Sequence, residues 1–144
     1  MPEVPTVHFQ YQDGKERTRI RYENGNSEDL ALTRVGPDLY RLNESSFVGD
    51  AVFADVIHVQ QLPDGTFHFL GIAERSPLVT QSWILSEQVI SSASIRAILA
   101  NITGLGGNWE QAFGGLLMIH VPPDSACRIF DEITATVKLV DSQA

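Results

Sequence analysis

The stretch DVIHVQQLPDGTFHFLGIAE, residues 55–74, constrains the fold more than any other, because its turn fixes a register. Pro63-Asp64-Gly65 fits a type I turn whose glycine takes the left-handed bulge position, so Leu62 is expected to pair with Thr66. Counting outward, Gln60 then faces His68 and His58 faces Leu70. That register gathers Ile57, Val59, Phe67 and Phe69 on one surface, a coherent core face. A tighter two-residue loop would move the phenylalanines away from Ile57 and Val59, so the hydrophobic pattern selects the bulged turn.

The chain before this hairpin carries more strand signals. TVHFQYQDGKERTRIRY alternates strand-forming residues on either side of Asp13-Gly14, a hairpin signal, and ENGNS is loop chemistry. DLALTRV and LYRL flank Gly36-Pro37-Asp38 as a second strand pair, and NESSFVGD makes a longer connection. Residues 1–76 are therefore expected to form a bent antiparallel β-sheet or half-barrel subdomain.

From about Leu78 the pattern changes. VTQSWILS reads as a strand, and SSASIRAILANITG places Ile95, Ile98, Leu99 and Ile102 at helical spacing, with serines to cap the start and Gly104 to end it. NWEQAF and LLMIHV flank Gly114-Gly115 as a hairpin. After Pro122-Pro123, the residues Ala126, Ile129, Phe130 and Ile133 make a second apolar helical stripe, with Asp124 as N-cap, and TVKLVD reads as a closing strand. That order predicts an α+β chain in which residues 77–144 form a ferredoxin-like βαββαβ unit packed with the first subdomain as one compact body. The apolar strands SWIL and LLMIHV would be central, while NWEQAF and TVKLVD, carrying Glu110 and Lys138, would be edges. Trp83 and Trp109 read as core residues.

With 144 residues, 43% of them hydrophobic, the chain can bury a real core, and its net charge of -8 opposes attraction to phosphate backbones or anionic membranes. Nucleic acid and membrane are thus excluded as default partners. A single cysteine allows no internal disulfide, no secretory leader pattern opens the sequence, and no apolar run approaches the roughly 18 residues of a membrane span. These features predict a soluble cytoplasmic protein. Open strand edges make pairing of two copies into a homodimer a further expectation.

Four groups of side chains could carry chemistry. Cys127 near a helix start and His120 at a strand end are the candidate nucleophile and base; against them, no paired acid lies close in sequence to orient His120, and Cys127 fits as a small hydrophobe beside Ala126 and Phe130. Arg17, Arg19 and Arg21 alternate along one strand, so one face presents three guanidinium groups suited to a carboxylate, a phosphate or an acidic partner. His58 and His68 lie diagonally at about 7 to 8 Å in the preferred register, but Gln60 and Thr66 beside them are poor zinc ligands, so the pair reads as a solvated or interface-facing surface, a candidate with the arginines for binding a ligand or partner, and not as a metal site. Asp50 and Asp55 could serve as acids and read more simply as turn residues. Phosphate-binding glycine loops, nucleophile elbows, CxxC pairs, HExxH helices and calcium loops are all absent from the sequence, and no cofactor is expected.

The segments VGPDLYRLNESSF, ADVIHV with DGTFHF, RSPLVTQS, and GGNWEQAFGGLLMIHVPPD resemble, in order and spacing, a family of small bacterial proteins, the domain of unknown function 4265 family, over Glu28 to Ile133. The family has Gly-His before a threonine and arginine two residues beyond it; here Pro77 and Leu78 precede Thr80, and Ser82 stands at the arginine position. Ser46 stands at the proline of an Asn-x-Pro-Phe element, with Asn43 and Phe47 spaced differently. The resemblance implies a bacterial source and a two-part architecture and carries over no activity. The chain is accordingly expected to be a non-catalytic binding or regulatory module for a small ligand or a protein partner. The alternatives are a small hydrolase or transferase using Cys127 and His120, and an acidic, immunity-like or assembly protein that occupies a partner's surface.

Overall fold

A computed structural model of the chain describes residues 7–9 and 17–143, and the fold is α+β. Two compact units result: Gln12–Ser76, and Pro77–Ala144 together with Met1–Tyr11. Of the first residues, the described Val7–Phe9 fall with the second unit.

The first unit is a closed five-stranded barrel formed by β2 (Arg17–Arg21), β3 (Ser27–Gly36), β4 (Leu39–Leu42), β5 (Val56–Gln61) and β6 (Phe67–Glu74). Neighbours are antiparallel except at the seam, where β2 runs parallel to β6 with Ile20 opposite Phe67. The expected half-barrel therefore closes. Strand alternation sends Ile20, Leu30, Leu42, Ile57, Val59 and Phe67 inward, and tilted ring contacts between Tyr40 and Phe67 and between Tyr22 and Phe69 add to that core.

The hairpin between β5 and β6 turns as its sequence predicts. The amide of Leu62 donates to the carbonyl of Thr66 at 2.8 Å, and Gly65 has φ of 87°, a conformation that a Cβ would disfavour. Gln60 pairs with His68, as expected. Beyond Val59 a β-bulge skips Leu70, so His58 faces Gly71 instead. The bulge leaves Leu70 50% exposed.

The second unit is a four-stranded sheet with helices packed on one face. Its strands are β1 (Val7–Phe9), β7 (Val79–Ile84), β8 (Asn108–Ala112) and β9 (Leu116–Val121), in the order β1-β8-β9-β7. Between β7 and β8 lie α1 (Glu87–Ile90), α2 (Ala93–Ile102) and a 3-10 turn, and α3 (Pro123–Ser142) follows β9. Leu117, Ile119 and Val121 alternate toward the helices, where they meet Ile95, Ile98, Leu99, Ile102, Ala126, Ile129 and Ile133. Ser92 caps α2 by accepting from the amide of Ile95, and the left-handed residue that ends this segment is Gly106 rather than Gly104. Trp83 and Trp109 are half-buried against this core.

Four expectations change here. TVKLVD is not a strand: it continues α3, because Val137 and Val140 extend the stripe begun by Ala126, Ile129 and Ile133, and burial outweighs the strand preference of β-branched residues. A closing fourth strand, and with it the βαββαβ unit, is therefore not formed. The strands flanking Asp13-Gly14 do not pair with each other; β1 joins β8 while β2 joins the barrel, and the turn itself lies outside the described residues. Because β1 covers its outer side, β8 is no edge, and Glu110 is fully buried instead of solvated. Asp124 sits inside the first turn of α3, where a carboxylate suits the helix dipole, and is not the N-cap.

Candidate functional site

The three arginines of β2 do emerge on one face, as alternation requires, but each meets a carboxylate from another part of the barrel. Arg17 pairs with Glu44 at 3.1 Å, Arg19 with Asp29 at 2.7 Å and Arg21 with Asp64 at 3.2 Å. Hydrogen bonds from the side chain and amide of Thr66, with a smaller contribution from Arg21, hold the Asp64 carboxyl below the usual carboxylate range. The guanidinium row is thus tied into internal ion pairs.

His58 is exposed and His68 half-buried, and the bulge alters the diagonal relation between them that the regular register would give. Among the described residues no group of three or more His, Cys, Asp or Glu side chains is placed to hold a metal ion. Cys127 is exposed on α3, with its Sγ 3.7 Å from a carboxylate oxygen of Asp131, and so is not the buried small hydrophobe the sequence suggests. Asp55 is 1% exposed and structural: its carboxylate accepts from the amides of Val52 and Ser76 at 2.9 and 2.6 Å and from Arg75 at 3.1 Å. Asp50 contributes its carbonyl to the same arginine.

Side chains also hold the connection between β4 and β5 in shape. One oxygen of Glu28 accepts the amide of Phe47 at 3.1 Å, and the other accepts the hydroxyls of Tyr22 and Ser46. Ser46 Oγ accepts the amide of Gly49 at 2.7 Å, and Ser45 Oγ that of Phe53 at 2.9 Å. Burial, with the hydrogen bond to Glu28 second, pushes the Tyr22 phenol above the ordinary tyrosine range. The loop fixed in this way borders a depression of about 510 Å3 on the barrel. Tyr22, Val48, Phe69, Leu70 and Ile72 supply its apolar lining, and Glu23 and Asp50 supply its acids. Val48 and Leu70 remain 38% and 50% exposed.

In the second unit His120 is fully buried, and both of its ring nitrogens are engaged. Nδ1 lies 2.7 Å from Thr80 Oγ1 and Nε2 lies 2.7 Å from Glu110 Oε2, so neither nitrogen serves the Cys127 thiol. Strand register builds this chain of contacts. Thr80 on β7 pairs with His120 on β9, and Asn108 on β8 pairs with His120 from the other side, placing Glu110 two residues along the same face. The Oδ1 of Asn108 is buried with no hydrogen-bond partner among the described residues. Sequence reasoning missed Glu110 and Thr80 as partners of His120. Counting outward from the turn that contains Gly114-Gly115, with Ala112 opposite Leu116, sets Asn108 against His120 and would have revealed the acid on that face.

Among the described residues no helix is long and apolar enough to cross a membrane. No family model matches the chain, and no curated protein matches it. A solved structure, that of a hypothetical protein from Neisseria gonorrhoeae, is similar to it with a TM-score of 0.54 at 14% identity, over 88% of this chain and 92% of that one. What the two chains share at that identity is the fold.

Proposed function

We propose that the protein is a binding module whose barrel recognises a segment of a protein partner that presents an apolar side chain next to a lysine or arginine. The observation that carries this reading is the depression bordered by the β4–β5 connection, where exposed Val48 and Leu70 stand beside Glu23 and Asp50. Exposed apolar side chains rimmed by charge are what recognition surfaces offer, and the four amides of the connection held by side chains keep that surface in a fixed shape. The net charge of -8 adds long-range attraction toward a basic partner. The role assigned to the barrel involves no chemistry. A hydrolase built on Cys127 and His120 has less support, since the histidine's nitrogens are occupied elsewhere.

Selection from a library of displayed random peptides, followed by affinity measurement, tests the reading. The expected winners combine a basic residue with an apolar one, and Leu70→Asp or Glu23→Lys should weaken them at least about tenfold, roughly 1.4 kcal/mol. Peptides of no common chemistry, or peptides that bind these variants unchanged, would remove the barrel as the recognition surface.

A further inference from the structure

We infer that Thr80 is an activated nucleophile, with His120 as its general base and Glu110 as the residue that positions the ring, acting on acyl esters or thioesters. The inference is independent of the barrel reading, because it concerns other residues in the other unit.

Three observations lead to it. The chain of contacts has the connectivity that nucleophilic catalysis by a hydroxyl needs: an alcohol 2.7 Å from one imidazole nitrogen and a carboxylate 2.7 Å from the other. The contacts also assign the required tautomer to a neutral ring beside an ionised carboxylate. An ionised carboxylate only accepts, so Nε2 carries the proton, and the neutral ring presents a lone pair at Nδ1 to receive the hydroxyl proton of Thr80. Finally, exposure falls along the chain in the useful order. Thr80, on the outermost described strand of its sheet, is partly exposed, whereas His120 and Glu110 behind it are fully buried. The base and its orienting acid sit in a dry region that strengthens their interaction.

The chemistry balances without a cofactor. Thr80 Oγ1 attacks the acyl carbon as its proton passes to His120 Nδ1. The bond from carbon to the leaving oxygen or sulfur then breaks, and the departing alkoxide or thiolate takes that proton. Water, deprotonated by the same nitrogen, next cleaves the acyl-threonine to a carboxylic acid and restores the hydroxyl. Glu110 never exchanges the proton; it holds the ring and stabilises the imidazolium that forms.

An alkyl fluorophosphonate tests this directly. The bond between Thr80 Oγ1 and phosphorus forms as the P–F bond breaks, and hydrogen fluoride is released. Peptide mass spectrometry of the intact chain should find one adduct, on Thr80. The adduct should vanish in Thr80→Val, which keeps the shape of a strand residue and should retain the wild-type thermal transition, and it should persist in Thr80→Ser. Glu110→Gln should slow labelling by roughly 10²–10⁴-fold and change the shape of its pH profile, whereas a purely structural acid would scale the rate alike at every pH. No adduct on the wild-type chain, an adduct on another residue, or equal labelling of Thr80→Val would each overturn the inference.

Discussion

Both units place acidic side chains wholly or partly out of water, but they satisfy them with different partners. In the barrel, Glu28 and Asp55 accept mainly from backbone amides and hydroxyls, and the one cation that meets Asp55, Arg75, keeps its side chain 60% exposed. In the sheet, Glu110 meets a histidine ring, and both partners are fully exposed to protein and not to water. An acid directed at amides specifies a loop conformation, since the amides it satisfies cannot be satisfied elsewhere without a change in backbone path. An acid directed at a ring leaves the backbone alone and specifies which nitrogen carries a proton. The barrel spends its buried charge on shape, and the sheet spends it on the state of one side chain.

Breaking the sheet's pair should have the largest effect on stability. Glu110→Ala leaves a buried imidazole nitrogen unpartnered, and a loss of about 3 kcal/mol is expected in denaturant unfolding. A loss under about 1 kcal/mol would mean that the pair is far better solvated than its burial implies. Asp55→Ala comes next, with an expected loss of about 2 kcal/mol and faster hydrogen exchange at Val52 and Ser76, the amides it accepts. Exchange unchanged at those two amides would contradict the loop-fixing role. The smallest effect sharpens the comparison from the hydroxyl side. In an ultraviolet titration Tyr22 should ionise above the ordinary tyrosine range, and Glu28→Gln should bring it down. Its folded-state pKa is raised above the unfolded value, so its contribution to stability is present below the unfolded value of about 10 and is lost as pH rises above it. A Tyr22 titration that Glu28→Gln leaves unchanged would show that the phenol is not held by Glu28.

Local chemistry was legible in the sequence, and long-range pairing was not. The turn at Pro63-Asp64-Gly65 fixed Gln60 against His68 because three residues and an alternation suffice to set it, and the stripe from Ile95 to Ile102 made its helix for the same local reason. Leu70 escaped that reading because a bulge two pairs further on has no equally strong local mark. Val137 and Val140 suggested a strand by type, while the periodicity that carries α3 through them links them to Ile129 and Ile133. Glu110 looked like a solvated edge charge because the strand that covers it, with Phe9 opposite Glu110, comes from the other end of the chain. Two arginines of β2 looked unpaired for a related reason, since Glu44 and Asp64 reach Arg17 and Arg21 from later strands and turns, whereas Asp29 lies directly across the β2–β3 hairpin from Arg19.

The pairing of β1 with β8 also bears on how the chain is made. A ribosome makes Val7–Phe9 before Asn108–Ala112, and in the interval it delivers the strands of the barrel. Domains fold as units during synthesis, beginning with those completed first, so the barrel can close while β1 still waits for its neighbour. The sheet must then recruit its first-made strand across the longest loop in the molecule, which makes that pairing a late and slow event. Until it occurs, the strand that carries Glu110 keeps an open edge, with backbone groups free to pair elsewhere.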